Sequence, residues 1–184
     1  MLNRKSNNAK LIMETWRRFI NEGEVETKGG SRDLPEPPNP EIIVDTLDID
    51  IDRATQISDE ALNKAYRYGL SKPGSFGYEA NKYSSMYALD AIMKNFETVV
   101  SNPEDRDLIT KVADAVHDGW SYAAYNVDDP RYETQPQKKI NRFALADTLY
   151  SDLDDEEKEK DRVIARALIN TVYAERKDKL QRSL

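Results

Sequence analysis

One histidine, no cysteine and 34 carboxylates set the limits on the chemistry open to this chain of 184 residues. His117 has Asp114 three residues before it, so on a helix both side chains would share one face, as in the carboxylate–histidine metal sites of helix bundles. Such sites need a second pair, and there is no second histidine. A packed, hydrogen-bonded histidine is therefore expected, with no metal and no catalytic residue. Without cysteine there is no thiolate nucleophile, disulfide or cysteine–zinc site. Spacing alone supports no Ser–His–Asp arrangement. Asp48, Asp50 and Asp52 stand at positions 1, 3 and 5 of a calcium-loop pattern, but its glycine position holds Arg53 and its final glutamate position holds Asp59. The segment "KPGSFG" (72–77) lacks the Gly-Lys-Ser/Thr ending and the preceding strand of a phosphate loop.

Aromatic residues are the more distinctive resource. Tyr66, Tyr68, Phe76, Tyr78, Tyr83 and Tyr87 fall within 22 residues around the turn "SKPGSFG". Aromatic faces with hydroxyl tips suit a pocket for a flat ligand, a protein interface or plain helix packing.

The elements that must carry these residues are mostly helical. Residues 1–21 form a basic amphipathic leader: Leu11, Ile12, Trp16, Phe19 and Ile20 recur at helical spacing, and five cations face only Glu14. Residues 22–40 hold four of the eight prolines and no periodicity, which reads as a flexible linker that detaches the leader from a body at 41–184. The net charge of −7 is thus a basic tail on a more acidic body, a poor match for nucleic acid. No apolar run approaches the ~20 residues that cross a bilayer, and no secretory h-region opens the chain, so a cytoplasmic protein is expected.

Within the body, Leu47, Ile49 and Ile51 alternate with Asp48, Asp50 and Asp52, which predicts a short extended segment. Five helices follow. The first is capped by Ser58 and stopped by Gly69; the second carries the stripe Tyr83, Met86, Leu89, Met93, Phe96 and Val100. The third starts with Asn102 as cap and Pro103 behind it, and buries Leu108, Ile109, Val112, Ala113, Val116 and Trp120. A shorter fourth spans about 140–150. The fifth opens at Asp154 with Glu157 three residues on, an acidic capping box, and then buries Ile164, Leu168 and Val172. The fold class is all-α, a compact bundle of about five helices.

The stretch "LYSDLDDEEKEKDRVIARALI" resembles the C-terminal signature of the ryanodine-receptor (RyR) repeat family in Tyr150, Leu153, Glu157, Lys158, Asp161 and Arg162. Upstream, "HDGW" matches the family's His-x-x-Trp pair in His117 and Trp120, and "INRFALADTLY" resembles short prokaryotic and phage members through Arg142 and Phe143. The likeness covers about residues 107–175. It departs from the receptor repeats in lacking their long Gly-Trp-x-Tyr-Gly loop and His-Pro element, and in Leu149 where a proline is usual. The resemblance implies a helical module for binding or assembly, without catalysis or cofactor. Its ligand would be a small nucleotide-like molecule, with His117, Trp120, Tyr150 and Arg162 lining or supporting the site. Trp120 would stack, and Arg162 would meet an anionic group or pair with a nearby carboxylate.

The opening "NAKLIMETWRRFINEGEV" resembles leaders of large tailed-phage head proteins, which their maturation protease cuts after a hydrophobic-x-Glu pattern; "INE" before Gly23 fits, as do "IME" and "LPE". This resemblance implies a phage-encoded protein in host cytoplasm or virion, with a head or scaffold partner for the leader. The alternative function is a structural or co-packaged head protein, and a homo-oligomer is compatible with either.

Overall fold

The computed structural model describes residues 32–182; the predicted leader helix of residues 1–21 and the first part of the predicted linker lie outside them. Among the described residues there are eight α-helices and no strand. They are α1 (Pro40–Leu47), α2 (Ile51–Tyr66), α3 (Phe76–Lys94), α4 (Phe96–Ser101), α5 (Arg106–Asn126), α6 (Arg131–Thr134), α7 (Pro136–Ala146) and α8 (Asp155–Arg182). A 3₁₀ turn, Tyr150–Asp152, precedes α8. The described residues are all-α, with five helices of eleven or more residues and three shorter ones. None of the helices is long and apolar enough to cross a membrane.

Several predicted boundaries move, each for a local reason. The alternation at 47–52 is a helix junction. Leu47 ends α1, Asp48 takes the left-handed conformation (φ 57°) as its C-cap, and Asp50 caps α2 by accepting a hydrogen bond from the Arg53 amide at 2.8 Å. Leu47, Ile49 and Ile51 are all buried, so period two records a tight turn between helices. Ser58 is no cap. It lies within α2, fully buried, and hydrogen-bonds Ser85 on α3 at 2.8 Å. The same helix ends at Arg67 (φ 56°), two residues before Gly69. The second stripe breaks at Asn95, whose side-chain amide donates to the Ala91 carbonyl at 2.8 Å. Asp105, three residues past Asn102, caps α5 by accepting from the Leu108 amide. The cap of α8 is where the spacing places it, Asp154 accepting from Glu157 at 2.8 Å.

Helices α3 and α5 form the most extensive pairing, with α8 packed on α5 and α2, and α7 packed on α5. One core of Leu89, Ile92, Val112, Val116, Leu168 and Ile169 runs through α3, α5 and α8. A smaller one gathers Phe76, Ala80, Ala123, Ala124 and Ala146. Linker residues 32–39 touch the body. Tyr87 donates to the Pro35 carbonyl, and Arg32 pairs with Asp118 and reaches the Thr148 carbonyl at 3.4 Å.

Gly119 is the point of closest approach in the α3–α5 crossing. A Cβ there would stand 2.5 Å from the Tyr83 carbonyl oxygen and 2.7 Å from the Ser84 Cα, both backbone atoms. Gly119→Ala must therefore push the two helices apart. We expect it to lower unfolding free energy by about 1–3 kcal/mol or more despite alanine's better helix propensity. Urea unfolding of the variant tests this, and an unchanged or raised midpoint would contradict the crossing.

Candidate functional site

A cleft of about 1080 Å³ opens beside the α3–α5 crossing. Its walls come from the loop before α3, the start of α3, α5, the α6–α7 corner and the first turns of α8. His117 and Trp120 line it from α5, one turn apart on the same face, with rings nearly parallel and centroids 6.1 Å apart. Leu153, Asp161 and Ile164 line it from the other side.

His117 is 3% exposed and held at both nitrogens. Nε2 lies 2.9 Å from the Thr148 carbonyl, which can only accept, so Nε2 carries a proton. Nδ1 faces Asp161 Oδ2 at 3.5 Å. Burial pushes the Asp161 carboxyl up, and His117 partly offsets that. Asp161 is thus the acidic group that faces the second ring nitrogen. His117 is a packed, hydrogen-bonded residue. Its partner is Asp161 on α8, while Asp114 is exposed.

The four residues named by resemblance divide into two pairs. His117 and Trp120 line the cleft. Tyr150 packs its ring 6.5 Å from that of His117, and its buried hydroxyl meets no hydrogen-bond partner among the described residues. Burial pushes that hydroxyl up, with the Arg162 guanidinium pulling against it. Arg162 lies along α8, 3.5 Å from Glu159, which also binds Arg166 at 2.6 Å. Tyr150 and Arg162 stand behind the cleft rather than in its lining. The aromatic residues around "SKPGSFG" scatter: Tyr66 stacks on Tyr68, Tyr83 and Tyr87 meet Tyr122, and Tyr78 donates to Asp52. Of that group only Tyr68 and Phe76 line the cleft.

The most heavily bonded part of the site was not legible in the sequence. Asp129, with its side chain 3% exposed, accepts from Arg131 at 2.6 and 2.7 Å and from Arg142 at 2.9 Å. Arg142 also lies 3.4 Å over the Phe76 ring and donates to the Tyr132 hydroxyl. One guanidinium thereby clamps the α6–α7 corner onto the first residue of α3. The sequence marks Arg142 only as half of an Arg-aromatic pair; its partners Tyr132, Asp129 and Phe76 lie 10, 13 and 66 residues away.

A polar seam fixes the opposite wall. Asp59 accepts from the Ser71 amide at 2.7 Å and from the Asn81 side chain at 2.8 Å, tying the loop before α3 to α2 and α3. Among the described residues no group of three or more histidines or carboxylates is placed to hold a metal ion.

Comparison with known proteins finds no matching family model, no similar curated protein and no similar solved structure. The likeness to RyR repeats therefore rests on the quoted residues alone.

The Asp129 clamp gives a pH test. The hydrogen bonds from Arg131, and then those from Arg142, outweigh burial and hold the Asp129 carboxyl well below its ordinary value of 3.8. Because the folded chain binds this proton less tightly than the unfolded one, the clamp's contribution is present above about pH 4 and is lost on further acidification. We expect Asp129→Asn to cost about 1–3 kcal/mol at pH 7, with the gap to the unaltered protein narrowing as the pH drops toward 3. Urea unfolding of both proteins across that range measures it; a gap that stays constant would show that Asp129 is not ionised in the clamp.

Proposed function

We propose that the protein is a non-enzymatic binding protein of RyR-like type, probing a small nucleotide-like molecule with the cleft beside α5. One observation carries the reading. His117 and Trp120 meet Leu153 and Asp161, residues of the distant tail signature, on the walls of a single open cleft. The volume, about 1080 Å³, is ample for a ligand of nucleotide size. Trp120 offers an indole face, and Phe76 with its stacked Arg142 offers a second planar surface. Asp161, beside His117, adds a polar group to the lining. Tyr150 and Arg162 support the site from behind, Tyr150 by fixing the His117 ring.

The test is native mass spectrometry of the full chain with a pool of nucleotides and cyclic nucleotides. A retained ligand mass is expected, and Trp120→Ala should weaken retention by about five- to 150-fold, given ~1–3 kcal/mol for a base–aromatic stack. A chain that retains none of the pool would overturn the reading and favour a structural role.

A further inference from the structure

The charges around the cleft are unevenly matched. Five cations line it, Lys72, Arg131, Lys138, Arg142 and Lys160, against Asp59, Asp129, Glu157 and Asp161. Every carboxylate has a partner. Asp129 holds Arg131 and Arg142, Glu157 holds Lys160 at 2.6 Å, Asp161 faces His117, and Asp59 accepts from Ser71 and Asn81. Lys72 and Lys138 alone among these cations have no ion pair to a described residue. In a chain of net charge −7, two unmatched cations lining one cleft are a local reversal of sign.

Their placement follows from the clamp. Lys72 sits in the loop before α3, where its carbonyl accepts from the Ser75 amide at 2.9 Å. Lys138 sits on α7 one turn before Arg142, hence on the same face. Arg142 stacks on Phe76 and so brings α7 against the start of α3. Both lysines therefore rise from backbone that flanks the Phe76–Arg142 stack. Lys139, the next residue, instead turns over the Tyr132 and Phe143 rings.

We propose that Lys72 and Lys138 bind a phosphoryl group, so that the cleft takes a phosphate ester of a ring compound, with the ring toward Trp120. This deepens the reading above and rests on it. Lysine is a compact point charge on a flexible stem, and ordering two such stems costs entropy that one dianion contacting both can offset. Lys72 is exposed and Lys138 half-buried, so both can reorient toward a ligand at the mouth. The guanidiniums cannot replace them, since both are committed to Asp129. Arg162, the anion partner implied by resemblance, is outside the lining.

Calorimetric titration of the full chain with a nucleoside, its monophosphate and inorganic phosphate separates the possibilities. On the unaltered chain the monophosphate should bind at least about tenfold tighter than the nucleoside, and more weakly as salt rises. The double variant Lys72→Gln, Lys138→Gln should erase that preference and leave nucleoside affinity unchanged. Equal binding of nucleoside and monophosphate would overturn the lysine assignment while leaving the cleft a ring-binding site. So would a phosphate preference that survives in the double variant. Binding of inorganic phosphate as tight as the monophosphate would remove the ring from the ligand, and no binding of any compound would overturn both readings.

Discussion

The close crossing of α3 and α5 at Gly119 is the constraint on which the rest of the structure depends. Backbone contact at Tyr83 and Ser84 leaves no room for a side chain, and Ser84 adds a hydrogen bond to the Val116 carbonyl at 3.1 Å. With the axes held this close, α5 presents His117 and Trp120 to one side of α3 and Val112 and Val116 to the shared core. Helix α8 then closes over α5 and brings Asp161 to His117.

Around that crossing, polar contacts divide the labour between two ends. At the inner end the His117–Asp161 pair is costly to bury and is satisfied by the Thr148 carbonyl. That same carbonyl receives Arg32, so the linker touches the acceptor that orients the histidine. At the outer end, Asp129 with its two arginines holds a short corner, α6 and the start of α7, that has little apolar packing of its own. Charge-assisted hydrogen bonds do there what burial does elsewhere.

Two sequence signals misled. The run Ser58-Asp59-Glu60 has the composition of a helix start, yet Ser58 and Asp59 face a neighbouring helix and build a buried polar seam with Ser85 and Asn81. The alternating aspartates at 48–52 have the period of a strand, yet two of them cap successive helices. In each case a short polar side chain satisfies a backbone or side-chain group brought to it by tertiary packing, and spacing along the chain does not say which.

What the sequence determined by itself is the local part of this protein. Helical periodicity marks the stripes of α3, α5 and α8, Asp154 marks the start of α8, and the absence of cysteine and of a second histidine narrows the chemistry. These are properties of neighbours three or four residues apart, where helix geometry links type to position. Only the tertiary structure decided that His117 answers to Asp161, that Arg142 stacks on Phe76 and holds Asp129, and that Lys72 and Lys138 share a cleft. Those pairs come from segments 13 to 66 residues apart. Their meeting depends on which helix faces cross, and helix-by-helix periodicity shows that a face is apolar without showing what it will meet.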